Sequence, residues 1–202
     1  MSTLTWGGCV VAALLTRGHA PTIGATGKTY TSIQRLIQAK SGVFCGPLRL
    51  LALEIYETLN MAGVVTNLVT GQELREMDWA NHVACTVEMC NLDKQVDVAV
   101  IDEIQLIGDP HRGWAWTQAL LGVQAAEVHV CGDPSAIPVV QRLAELTGDD
   151  FEICEYERRC DSSLSSSRVA RVLRSRVVHR AIHARAHDAP APRVLEELLG
   201  LG

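Results

Sequence analysis

The run Val98-Ala99-Val100-Ile101, followed at once by Asp102-Glu103, constrains this chain more than any other stretch. Four apolar residues without polar alternation read as a strand buried on both faces, the mark of a parallel sheet covered by helices. Such a strand delivers its successor residues to the carboxyl edge of the sheet, where α/β folds bind ligands. Two carboxylates at that edge need a use, and Gly27-Lys28-Thr29 upstream offers one. A Gly-Lys-Thr that opens a helix can hold nucleoside phosphates on backbone amides, with the lysine as counter-charge and the threonine hydroxyl on a magnesium ion. Together the two motifs predict a nucleoside triphosphatase that uses ATP and Mg2+. Asp102 would hold the metal together with Thr29, Glu103 would orient the attacking water, and Gln105 would report on the nucleotide state. The plainer alternative makes Glu103 a cap for the following turn.

The phosphate loop is irregular. The Walker pattern asks for glycine six positions before the lysine, and Thr22 stands there. Gly24 and Gly27 supply flexibility instead, so Gly24, Ala25, Thr26 and Gly27 form the expected cradle ahead of Lys28. A Gly-Lys-Thr that merely caps a helix is the competing reading, and the acidic pair downstream argues against it.

From Lys28 onward the pattern alternates between helix and strand. A helix is expected from Thr29 to Ala39, a short strand at Val43–Cys45, and a second helix from Gly46-Pro47 with Leu50, Leu53, Ile55 and Leu59 on its apolar face. Further strands fall at Asn67–Val69, Val83–Thr86, Val98–Ile101, Val128–Cys131 and Phe151–Cys154, with helices near 113–122 and 135–146. Strand and helix joined by short loops predict a mostly parallel sheet covered on both faces. In residues 1–20 the apolar stretch Cys9–Leu15 is expected as the first core strand, because a phosphate loop follows one. The same segment faintly resembles a targeting peptide but is short and poor in arginine.

A chain of 202 residues suits one α/β domain with an appendage, and no apolar run of about eighteen residues exists to span a membrane. Charge divides the sequence. Residues 1–160 hold 11 Lys and Arg against 19 Asp and Glu, a balance of −8, whereas 161–202 hold 7 against 4, a balance of +3. The globular part therefore lacks a general basic field, and any nucleic acid must be gripped by a local strip of amides and hydroxyls. Ser162–Ser167 reads as a low-complexity linker. The arginines after it, Arg168, Arg171 and Arg174 at every third residue, fit either a solvated tail or one face of a helix that binds RNA; no aromatic residue interleaves for base stacking. Cys45, Cys85, Cys131 and Cys154 lie in apolar runs and read as buried small hydrophobes, and the spacing of His82, Cys85 and Cys90 gives no zinc site.

Several blocks resemble, in order, the motifs of the mitochondrial degradosome RNA helicases of superfamily two. They are Gly46–Glu54, Leu68–Gly71, Thr86–Cys90, Val100–Gln105, Arg112–Thr117 and Val130–Pro134. The resemblance covers residues 25–159. It implies a RecA-like P-loop NTPase fold, a three-layer sandwich with a mostly parallel central sheet, over residues 21–159, between a divergent segment 1–20 and a Ser/Arg-rich tail 160–202. It also implies ATP hydrolysis coupled to RNA unwinding in the mitochondrial matrix beside an exoribonuclease of the degradosome. On this reading Pro47, Arg49, Thr70, Gly71 and Thr86 grip single-stranded RNA through its backbone, with little sequence preference. Trp114 and Trp116 are expected in the core. The family-like pattern stops at Tyr156-Glu157-Arg158, so the expectation is a lone first RecA-like domain that binds nucleotide weakly and does not unwind a duplex by itself.

Two rivals remain. Thymidine kinases share a Gly-Lys-Thr loop and an acidic strand end, but carry a lasso of paired cysteines, and this chain has no Cys-x-x-Cys. The other is a non-catalytic RecA-like module that binds RNA or a partner without turning over ATP.

Overall fold

The computed structural model describes residues 4–6, 9–11, 27–157 and 166–173, with side chains placed over 29–153. Strands β1 (Leu4–Trp6) and β2 (Cys9–Val11) are followed by helix α1 (Gly27–Gln38), β3 (Gly42–Gly46), α2 (Arg49–Met61), β4 (Thr66–Val69) and β5 (Leu74–Arg75). Then come β6 (His82–Thr86), β7 (Gln95–Ile101), α3 (Gly113–Gly122), β8 (Gln124–Cys131), α4 (Ile137–Thr147), β9 (Asp150–Glu157) and β10 (Ser166–Leu173). Eight strands form one sheet in the order β5-β4-β6-β3-β7-β8-β10-β9. Strands β4, β6, β3, β7 and β8 pair in parallel. Strand β5 runs against β4, and β10 runs against both β8 and β9, so β9 points the same way as the parallel set.

The layers follow from strand alternation. In β7, Val98 and Val100 face one side with Phe44 of β3, where Ile33 and Leu36 of α1 and Ile55 and Leu59 of α2 cover them. Ala99, Ile101, Val43 and Cys45 face the other side, under α3 and α4. Each helix presents a stripe: Thr29, Ser32, Ile33 and Leu36 in α1, and Val140, Leu143, Ala144 and Thr147 in α4, are buried at the i, i+3, i+4, i+7 spacing of a core-facing helix. Full burial of one such aliphatic side chain is worth about 1.5–3 kcal/mol, so these stripes hold the helices far more firmly than intrinsic propensity does. The three-layer, mostly parallel arrangement is the one expected from the sequence. No helix among the described residues is long and apolar enough to cross a membrane.

Four expectations need correction. Cys9–Val11 is not a strand of the main sheet; it pairs antiparallel with Leu4–Trp6 in a separate two-stranded sheet. Trp6 sits opposite Cys9, so the two strands pair locally, at little loop-closure cost. Residues 166–173, expected as linker and tail, form β10 between β8 and β9; the rest of the tail lies outside the described residues. Leu50 is 69 % exposed and Leu53 only partly buried, so the packed face of α2 runs through Ala52, Ile55 and Leu59. Trp116 is fully buried as expected, but Trp114, two residues earlier and thus on another side of α3, is 42 % exposed.

Candidate functional site at the carboxyl rim of the sheet

Strand register collects the candidate residues on one edge. Cys45 sits opposite Ile101, and Ile101 opposite Val130. Gly46 sits opposite Thr86, and Val69 opposite Cys85. The residues that leave these strands, Pro47, Thr70, Thr86, Asp102 and Gly132, therefore emerge side by side at the carboxyl ends. This is where binding loops gather in α/β sheets.

Helix α1 brings its first turn to the same edge. Its last turn lies at the opposite one, where the Leu36 carbonyl accepts the Nε2–H of His82, the first residue of β6, at 3.1 Å. Twelve residues of helix rise roughly 18 Å. Ser32, one turn from the start, already touches the end of β8: its hydroxyl is 3.2 Å from Cys131 Sγ and 3.4 Å from His129 Nδ1. The backbone of Gly27, Lys28 and Thr29 thus lies one turn farther toward the rim, and the Thr29 side chain is buried. Gly24, Ala25 and Thr26 lie outside the described residues.

Beneath this turn runs a polar row that reading the sequence did not reveal. Glu127, His129 and Cys131 alternate along β8 and face Ser32 and Arg35 of α1. Glu127 Oε1 meets His129 Nε2 at 2.5 Å, and Oε2 accepts Arg35 Nε at 3.2 Å and Arg35 Nη2 at 3.1 Å. Buried polar groups are tolerated when each finds a partner, and here the row pins α1 to β8. The spacing of Glu127, His129 and Cys131 at every second residue was the available signal.

The acidic motif is held from several sides. Asp102 is 6 % exposed; its amide donates to Cys45 O at 2.9 Å, and its carbonyl accepts the indole N–H of Trp116 at 2.9 Å. Glu103 is exposed and has φ 52°, ψ 47°, the one positive-φ non-glycine residue among those described. A left-handed conformation at such a residue costs on the order of 1 kcal/mol or more and often marks a functional turn. Gln105 donates its amide N–H to Glu103 Oε2, while its Oε1 accepts the backbone N–H of Asp133 at 2.9 Å. Gly132 allows this approach, because a Cβ there would stand 2.4 Å from Gln105 Oε1 and 2.8 Å from the Ile104 nitrogen.

The residues assigned to RNA form the neighbouring part of the rim. Leu48, at the head of α2, makes no side-chain cap bond, which suits first-turn amides that receive an anion. Pro47 is buried and Arg49 exposed. Arg49 Nη1 donates to Gln72 Oε1 at 2.6 Å, bringing α2 against the loop that carries Thr70 and Gly71. The Thr70 hydroxyl is engaged inside a turn, donating to Glu73 O at 3.1 Å and accepting Glu73 N–H at 3.0 Å, so the side chain shapes the loop. Gly71 is exposed with open space around it. Thr86 precedes a 3-10 turn over Val87–Met89 and makes no side-chain cap bond. Below the rim, the buried Cys45 and Cys85 thiols lie 3.8 Å apart. Contacts with Cys85 and Cys90, together with burial, push the Cys45 thiol well above its ordinary value. It is a protonated filler rather than a nucleophile.

Residues 14–156 match the family described as the DEXQ-box helicase domain of Suv3. A mitochondrial ATP-dependent RNA helicase of Homo sapiens is 56 % identical over 137 residues, covering 66 % of this chain and 17 % of the relative. The rice (Oryza sativa) relative, also named a mitochondrial ATP-dependent RNA helicase, is 51 % identical over 133 residues, with 66 % and 18 % covered. The Drosophila melanogaster relative, named likewise, is 49 % identical over 146 residues, with 70 % and 19 % covered. The chain thus spans less than a fifth of the length of each of these relatives. Among solved structures, the methyltransferase domain of a bacterial Hen1 aligns at 14 % identity and TM-score 0.44, covering 72 % of this chain and 96 % of that one. That likeness is too slight to carry an argument.

Proposed function

This chain belongs to the family of Suv3 DEXQ-box helicase domains, and from that premise we propose that its carboxyl rim binds ATP with Mg2+ at one end and the backbone of single-stranded RNA at the other. The observation that carries the reading is the convergence at that rim: the turn of α1 before Ser32 and the Asp102–Glu103 peptide lie at the carboxyl ends of adjacent strands, with Pro47 and Thr86 beside them. Lys28 is the counter-charge for the triphosphate, and the amides of Gly24, Ala25, Thr26 and Gly27 are its cradle. Thr29 and Asp102 would hold the magnesium ion; both offer the oxygen that a hard cation with phosphate co-ligands takes. When bound, the ion neutralises charge on the phosphate oxygens. Glu103 orients water, and Gln105, bonded to both Glu103 and Asp133, senses the nucleotide. Arg49, the first-turn amides of α2 behind Pro47, Gly71 and Thr86 receive RNA phosphates, with Thr70 shaping its loop. These contacts read backbone and carry little sequence preference.

The relatives' names extend the proposal to ATP-dependent RNA helicase activity in mitochondria, and an exoribonuclease that takes single strands from the rim is the partner such activity calls for. A second reading is favoured by one observation. The stretch expected to lead into the phosphate loop lies, over Cys9–Val11, outside the main sheet. That favours a non-catalytic module binding RNA or a partner without ATP.

Titration of the chain with Mg·ATP, wild type against Lys28→Ala, separates the two. An active site should lose roughly tenfold or more in affinity, the worth of one charge-assisted contact. Equal, negligible binding by both forms would leave the module.

A further inference from the structure

We propose that Arg112 and Trp116 form a link between the RNA-facing loops and the backbone that sets Glu103, so that RNA and nucleotide strengthen each other's binding. This link rests on the proposed ATP and RNA sites of the rim and adds two residues that touch neither ligand.

Arg112 is launched from a rigid turn. Asp109 Oδ1 accepts the backbone N–H groups of His111 at 2.8 Å and Arg112 at 2.7 Å, which hold its carboxyl below the ordinary value. Gly113 comes next, where a Cβ would stand 2.4 Å from the Ile107 carbonyl oxygen, so the chain can pass there only as glycine. The guanidinium then joins three places. Nε and Nη2 both donate to Glu88 Oε1, at 2.9 and 2.7 Å, beside Thr86. Nη2 also donates to the Pro47 carbonyl at 2.8 Å, at the head of α2. The cation lies over the Trp116 ring, 5.3 Å from its centroid. The Trp116 indole N–H in turn donates to the Asp102 carbonyl.

That last bond gives the link its purpose. The Asp102 carbonyl belongs to the peptide plane that enters Glu103, and turning that plane changes the Glu103 φ. A non-glycine residue holds φ 52° only when its surroundings insist, and the indole on the Asp102 carbonyl acts here together with the Leu106 N–H on the Glu103 carbonyl. The Arg112–Glu88 pair has side chains 43 % and 28 % exposed, and exposed ion pairs add little stability. Its value is therefore positional: a phosphate that draws on Pro47 or Thr86 shifts the guanidinium, the ring beneath it and the plane that aims Glu103.

The experiment uses the full chain, a labelled single-stranded oligouridylate and a fluorescent ATP analogue with Mg2+. In wild type each ligand should tighten the other by the same factor, about fivefold or more. Arg112→Lys keeps the charge but loses the planar fork, and Trp116→Phe keeps a ring but loses the N–H. In both the factor should fall to about one, while binding of either ligand alone shifts far less. Glu88→Gln, which keeps the size of the partner and weakens the pair, should fall between and serves if either variant fails to melt cooperatively. Hydrogen exchange on the ligand-free chain gives a second readout: Arg112→Lys should speed exchange at 103–105 as well as 86–89. Full coupling in Arg112→Lys and Trp116→Phe, or an exchange change confined to 86–89, overturns the link. Wild type that binds both ligands independently overturns the link alone. Wild type that binds neither removes the proposed rim sites and the link with them.

Discussion

Strand β8 has two neighbours of opposite character. On one side lies β7, parallel to it and apolar on both faces, in a block where β3, β4, β6, β7 and β8 all run one way. On the other lies β10, antiparallel, drawn from the Ser/Arg-rich stretch and pairing with β8 through Val169↔Cys131 to Leu173↔Glu127. Every described candidate residue leaves the parallel block or the first turn of α1; none comes from β10 or β9. Parallel pairing requires crossovers, and crossovers put all the strand ends of one sense on one rim with loops to spare. An antiparallel strand closes a sheet at small topological cost, and β10 does so while supplying none of the described candidate residues. The block makes the site, and β10 completes the sheet.

The heaviest way to break this contrast is Val100→Asp. Val100 is wholly buried between β3 and β8, and an unpaired carboxyl there should cost on the order of 4–5 kcal/mol, much of the stability of a typical domain. Urea unfolding should show the cooperative transition lost; a transition like that of wild type would mean the block is not the core. Ala170→Pro tests the other side. Ala170 pairs with Val130 and Ile153, and a proline there removes a ladder bond and its donor, a loss of about 1–3 kcal/mol. Hydrogen exchange should rise along β8 and β9 and stay unchanged in β3 and β6; silence along β8 would strip β10 of its role.

The smallest effect sharpens the comparison by pH. Burial lowers the His82 pKa from its ordinary 6.5, so on acidification the unfolded chain takes the proton first. The stability that His82 supplies is complete above about 6.5 and declines as pH falls from there through the lowered folded value. The urea midpoint should drop from about pH 7.5 to 5.5 in wild type and drop less in His82→Gln. An equal drop in both would place the acid sensitivity elsewhere.

What the sequence disclosed divides along the same line. Val98–Ile101 was legible because burial on both faces leaves an unbroken apolar run, and Val128–Cys131 because its β-branched valines alternate with His129 at strand spacing. Gln124–Glu127 was not: the carboxylate of Glu127 pairs with Arg35 and hydrogen-bonds His129, partners that only the fold supplies. Leu50 misled because an apolar residue at a plausible helical spacing still falls outside the packed arc. β10 was hidden for a deeper reason, since serine and arginine carry no strand signal and its pairing partners β8 and β9 select it from outside. At the site, Asp102 and Glu103 announced themselves by their place directly after a buried run. The clamp of Arg112 did not, because it joins Pro47 and Glu88, far apart in the chain, through a single side chain.

The position of β10 also has a consequence in time. It is synthesised after β9 yet sits inside β9 in the sheet, so while the chain emerges residue by residue, β8 waits with an unclaimed edge and β9 has no strand to hold it. An open flank of that kind invites pairing with another nascent chain. Strand β10 is thus also the stopper that seals the flank of β8.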